Sequence, residues 1–223
     1  MSQGKLPEEL VELLQQTDSD CSFLFEQLVG KMQGKLANAA TYVSSLLLAR
    51  VITGLQAVDL LLRNDYVIEA GVVTLSVFET KLDMLYVGTD AKRGDYWLRH
   101  EDPIRQPWSV AHKINSIYEG DLRQREQTTF QFLSAIKHGN PTAGPAGYPE
   151  RRNPELWEIK TGGFDDSINL SISLIIGRIA REQLLDCALA FCRVHEWLGV
   201  LNAAAEQEFL RRRNELIGGQ QRD

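Results

Sequence analysis

Phe130-Gln131-Phe132-Leu133-Ser134-Ala135-Ile136-Lys137-His138-Gly139-Asn140-Pro141 is the stretch that decides the fold. Phe130, Leu133 and Ile136 recur at helical spacing and turn toward a core, while Gln127, Gln131, Ser134 and His138 share one polar stripe. Gly139 can take a left-handed cap, and Asn140-Pro141 cannot continue a helix. An amphipathic helix therefore ends on Lys137-His138, beside a Gly/Pro-rich loop. Helical sequence lies on both sides of that lip.

Upstream, Gly120-Asp121 starts this helix, Trp108 to Glu119 reads as another, and Thr89 to Asp102 as a shorter one. Tyr66 to Val87 carries Glu69, Ser76, Thr80 and Asp83 on one narrow stripe. Glu79 falls beside that stripe among Leu75, Leu82 and Tyr86, and Lys81 falls on the far side with Thr74, Val77, Phe78 and Leu85. Leu36 to Arg63 is a long helix, apolar on most sides, that breaks at Asn64-Asp65. Before it the sequence predicts two helices, Glu8 to Gln16 and a second to about Met32 capped by Asp18-Ser19-Asp20. Downstream, Gly139 to Pro154 is loop by composition, and Trp157 to Phe164 reads as a small hairpin around Gly162-Gly163. Asp165-Asp166-Ser167 caps a long Ile/Leu-rich helix to about Leu198, continuing to Leu216.

The chain thus reads as one all-α domain, an antiparallel helical bundle with a long Gly/Pro-rich loop before a long C-terminal helix. Residues 1–34 hold N-terminal helices, 35–138 the bundle helices, 139–165 the loop and 166–217 the last helix.

With 223 residues, 43% hydrophobic and 24% charged, the composition is that of an ordinary globular domain. A formal net charge of −6 argues against a sequence-blind grip on nucleic acid, though not against a local basic groove. Three cysteines form no secreted-type framework, and Met1 to Glu9 has no apolar core of a signal peptide. Ala39 to Leu62 is interrupted by Arg50, Gln56 and Asp59, so a bundle helix explains it better than a bilayer span. The expectation is a cytoplasmic protein without a membrane partner.

His138 is the leading candidate for chemistry. Its imidazole suits acid/base work or phosphate binding, with charge from Lys137 and a hydrogen bond from Asn140. The plainer reading of the same residues is a helix stop with a cation at the negative pole of the dipole. Glu79 joins them as a candidate catalytic acid, and Lys81, Ser134 and Gln131 as candidate ligand-binding groups. Lys81 on an apolar flank demands a buried ion pair, an interface or a site, unless it snorkels to solvent along its stem, which is the reading the sequence slightly favours. Cys192 and His195 lie one turn apart, and a core cysteine beside a surface histidine is favoured over a metal site. Gly30 to Leu36 has the wrong spacing for a phosphate loop. No cofactor or metal site is read. Arg211-Arg212-Arg213 reads as a solvated helix end, with an RNA or acidic-partner contact as the minority reading.

At Phe78-Glu79, Asp83-Met84-Leu85-Tyr86 and Lys137-His138-Gly139-Asn140-Pro141 the chain resembles uncharacterised bacterial helical proteins in or near the HEPN (higher eukaryotes and prokaryotes nucleotide-binding) superfamily. The resemblance implies an antiparallel bundle, a homodimer, roles in phage defence or toxin systems, and RNA or a nucleotide as ligand. Active members are metal-independent ribonucleases in which an arginine precedes the histidine by four to six residues. Here Phe132-Leu133-Ser134 offers none, and Arg123 and Arg125 lie too far back. A charged phosphorane-like transition state needs a positioned cation, and Lys137 lacks the planar fork of a guanidinium. The expectation is therefore a non-catalytic dimeric binding or regulatory module, with a protein partner conceivable. The alternative is a divergent ribonuclease or nucleotide-handling enzyme using His138. The apolar surface of the Leu36 to Arg63 and Ile168 to Leu198 helices also points to a homodimer.

Overall fold

The computed structural model describes residues 6–27, 29–32, 38–101, 107–138, 150–153, 156–158, 167–196 and 200–218. Among them are eight α-helices: α1 (Glu8–Gln27), α2 (Ala39–Arg63), α3 (Val67–Gly88), α4 (Ala91–Leu98), α5 (Val110–Ile117), α6 (Gly120–Lys137), α7 (Ser167–Val194) and α8 (Val200–Gly218). The all-α bundle read from the sequence is the observed architecture. Several starts follow from local chemistry. The side chains of Asn38, Asp90 and Ser109 accept hydrogen bonds from the backbone N–H groups of Thr41, Lys92 and His112.

Helix α3 is the hub. Its apolar residues are too many for one face, and it is accordingly packed by α2, α4, α5, α6 and α7. The main core gathers Leu47, Val51, Leu55 and Leu62 of α2 with Val77 and Met84 of α3 and Ile176, Leu184 and Phe191 of α7. A smaller core of Leu75, Phe78, Leu82, Ile114 and Leu133 joins α3 to α5 and α6. Helix α4 crosses the start of α2 backbone to backbone: a Cβ on Gly94 would lie 2.6 Å from the Ala40 nitrogen.

Three expectations are corrected. The N-terminal region is one helix through Gln27, because Asp20 does not cap anything. Its carboxylate is held by Arg181 and Arg212, each at 2.7 Å, and the Thr17 hydroxyl donates to the Leu13 carbonyl, so no breaker remains. The C-terminal helix is two. Helix α7 ends at Val194, where the His195 N–H and ring Nδ1 both approach the Phe191 carbonyl, at 3.1 and 3.0 Å. Helix α8 then folds back along α7, with Arg193 on Glu206 and Arg213 on Asp186, and so buries Ala205 and Phe209. A single rod would have left both in water. Finally, the hairpin pairs a short strand β1 (Glu150–Asn153) with β2 (Leu156–Glu158), Trp157 opposite Arg151. Pro154-Glu155 lies between them in the sequence, directly after Asn153. Gly162-Gly163 and the loop residues 139–149 lie outside the described residues, and 150–153, expected as loop, are strand.

Candidate functional site

The register of α3 against α6 places the candidates. The two helices run antiparallel: a Cβ on Gly71 would meet Ile136, Phe78 stacks on Phe130 at 6.2 Å, and Lys81 reaches Glu126. His138 therefore sits by the beginning of α3, whereas Lys81 sits toward its end. From Glu126 to His138 the helix climbs roughly 18 Å at 1.5 Å per residue.

His138 is the C-cap of α6, its N–H bonded to the Ser134 carbonyl at 3.0 Å and its side chain exposed. Lys137 and Gln131 are exposed, and Ser134 is half-buried. These four sit together on the outer end of α6. Asn140 lies outside the described residues. Glu79 is half-buried on α3, on a flank that differs from that of Lys81. The structure does not bring His138 and Lys81 into one hollow.

Lys81 does not snorkel. Its side chain is 0% exposed, and Nζ lies 2.5 Å from Glu126 Oε2 and 3.9 Å from Asp186 Oδ2. The rings of Phe78 and Tyr118 lie 4.6 and 5.4 Å from the ammonium. Burial pulls the Lys81 pKa down, but Tyr118, Glu126 and Asp186 outweigh it and hold the ammonium above its ordinary value. Burial, by contrast, raises the Tyr118 phenol.

Around this pair α3, α6, α7 and α8 assemble a charge-balanced cluster that the sequence did not announce. Glu182 pairs with Arg125 at 2.8 Å, and Arg213 Nε donates to Asp186 Oδ1 at 2.5 Å. Burial raises the Glu182 carboxyl against the pull of Arg125. Three cations (Lys81, Arg125, Arg213) thus face three carboxylates (Glu126, Glu182, Asp186). The visible clue to Glu126 is its place on the same stripe as Leu133 and Ile136, seven and ten residues before them and one charge out of keeping with them.

A second buried pair closes α5 onto α3. Lys113 Nζ donates to Asp83 Oδ1 at 2.8 Å, and the Lys113 side chain is 0% exposed. Burial raises the Asp83 carboxyl, with Lys113 and Arg50 pulling the other way. Beside it, Tyr86 Oη and His112 Nε2 are 2.9 Å apart.

Cys192 is core, but His195 is not at the surface: it is 0% exposed and stacked on Phe191 at 4.1 Å. Burial lowers its pKa against hydrogen bonds with Phe191 and Thr41. Among the described residues no three His, Cys, Asp or Glu side chains are placed to hold a metal. Burial pushes the Cys21 and Cys192 thiols up to about 12, so neither is a ready nucleophile.

Of the arginine run only Arg211 is solvated, its side chain 55% exposed. Arg211 pairs along its own helix with Glu208 and Glu215, whereas Arg212 crosses to Asp20 and lies 4.5 Å from the Phe23 ring. Arg213 reaches the central cluster. Between α1, α7 and α8 these contacts leave a groove of about 690 Å³, lined by Leu13, Leu174 and Leu216 together with charged side chains.

Comparison with protein-family models, curated proteins and solved structures gave no match.

Proposed function

We propose that the protein is a non-catalytic, homodimeric helical binding module. The observation that carries this reading is the outer face of α2. Tyr42, Leu46 and Leu60 are 50%, 43% and 63% exposed there, with Ala49 and Thr53 between them. By length and composition α2 is also apolar enough to cross a bilayer, yet its other face is packed into the bundle against α3, α4 and α7. A stripe of this kind invites a partner. A second copy fits it: a twofold axis near its middle sets Tyr42 of each chain against Leu60 of the other, and the small Ala49 and Thr53 let the helices approach closely.

The distance between exposed His138 and the buried charges supports the non-catalytic half. The Lys81 amine that a nuclease would use with that imidazole is engaged by Glu126 instead. The resemblance to HEPN proteins supports a cytoplasmic role in a bacterial defence or toxin-type system, with RNA or a protein as the bound partner. The second reading, a divergent metal-independent ribonuclease, draws on the exposed Lys137-His138 pair.

Light scattering tests the dimer. The expected mass is twice the 25.2 kDa of one chain, reduced to one chain by Leu60→Asp. A monomeric wild type at micromolar concentration rejects it. Incubation with RNA, wild type beside His138→Ala, is expected to show weak or no cleavage. Robust cleavage abolished by that substitution establishes the nuclease instead.

A further inference from the structure

We propose that the groove between α1, α7 and α8 binds a small organic acid, its carboxylate on Arg178 and its apolar body against Leu13, Leu174 and Leu216. The groove's volume, about 690 Å³, lies within the ~300–1,000 Å³ typical of small-molecule sites. Four arginines line it, and three are already neutralised. Arg181 and Arg212 each hold Asp20 at 2.7 Å, and Arg211 holds Glu208 and Glu215. Arg178 makes no ion pair among the described residues, although it is only partly exposed. Its natural helical partner, Glu182 four residues on, is turned to Arg125 and Arg213 instead. A guanidinium with its donors uncommitted, set in a concave site, matches the planar geometry of a carboxylate.

The rest of the lining selects among anions. Glu9 and Glu12 stand on the α1 wall, and Asp20 and Glu215 complete a set of acids equal in number to the arginines. A doubly charged phosphate would meet that wall unfavourably, whereas a monoanion needs only Arg178. Leu174 stands four residues before Arg178 on α7, and Leu13 and Leu216 flank the groove from α1 and α8. Head and body of the ligand are therefore both accommodated. This site goes beyond the dimer reading and requires neither a second copy nor RNA.

Calorimetric titration of the purified full chain with octanoate and with phenylacetate, and separately with inorganic phosphate, tests it. Saturable binding of at least one acid is expected, weakened tenfold or more by Arg178→Gln and less by Arg178→Lys. Leu216→Asn is expected to weaken octanoate binding several-fold while leaving the circular-dichroism spectrum unchanged. Absence of saturable binding by both acids, equal affinity in Arg178→Gln, or binding of phosphate alone overturns the assignment.

Discussion

The Lys81 ammonium lies 2.5 Å from Glu126 Oε2, and neither side chain has appreciable contact with solvent. Breaking such a pair from one side strands a charge in the core. Lys81→Ala is therefore expected to destabilise the fold by about 3–5 kcal/mol, measured by urea unfolding. The double variant Lys81→Met/Glu126→Leu removes both charges and is expected to recover much of that loss. Equal destabilisation by the single and double variants would show that packing, not charge, governs the position.

Helix α8 hides little apolar surface of its own, Ala205 and Phe209 being its fully buried side chains among those described. Its attachment leans on Arg212–Asp20 and Arg213–Asp186. Each charge-assisted contact is worth about 1.5–3 kcal/mol, so Arg213→Ala should speed amide exchange across residues 200–218 while α3 keeps its protection. Raising the salt concentration should act in the same direction, since neither arginine is fully shielded. Uniform loss of protection throughout the bundle would argue that α8 unfolds only with the whole.

His195 gives the pH dependence a definite sign. Its folded pKa lies below the ordinary 6.5, because burial outweighs its hydrogen bonds. As pH falls below 6.5 the unfolded chain takes up a proton that the folded chain refuses. Stability from this residue is complete above 6.5 and declines as pH drops toward the folded pKa, by at most about 1.4 kcal/mol per pH unit. Asp83 and Glu182, whose carboxyls burial raises, act oppositely just above the usual carboxylate range. Comparison with His195→Gln isolates the imidazole. That variant should lose stability less steeply between pH 6.5 and 5.5, and an unchanged slope would contradict the argument.

Gly94 is where α4 meets the α2 backbone. The obstructing atoms are main chain, at 2.6 Å from Ala40 N and 2.7 Å from Ala39 C, and cannot rotate aside. Gly94→Ala should cost about 1–3 kcal/mol despite its better helix propensity, read as a lower melting temperature. A neutral or stabilising result would mean that α4 can shift freely on α2.

His138→Ala, by contrast, should leave stability within about 0.5 kcal/mol, since the exposed ring covers no core. A larger loss would show that the imidazole holds the end of α6 in place.

What the sequence disclosed was mostly periodic. Leucines and isoleucines at helical spacing announced the helices, and Asn64-Asp65 the turn between α2 and α3. Lys81 stood out because a charge interrupted an apolar flank, yet its partner stayed hidden. Glu126 is 45 residues away, and spacing within one helix says nothing about its register against another. Arg212 and Arg213 looked like ornaments for the same reason: an arginine reads alike whether water or a carboxylate receives it. His195 was read as superficial because spacing along α7 does not show that the end of this helix packs on α2, where the Thr41 backbone meets the ring. The lip at His138 was correctly located as a helix end, but its distance from Lys81 depended on the antiparallel sense of α3 and α6.

Asp20 is shared by Arg181 and Arg212, Phe23 meets the Phe209 ring, and Glu9 borders the same groove as Leu216. The first and last helices of the described chain are thus neighbours, and the path of the backbone nearly closes into a ring. A circular permutant with α8 joined to α1 and new ends opened between α5 and α6 would retain every one of those contacts. On the ribosome, however, the native order leaves α1 waiting. Asp20 acquires its second guanidinium only once Arg212, 192 residues further on, has been made.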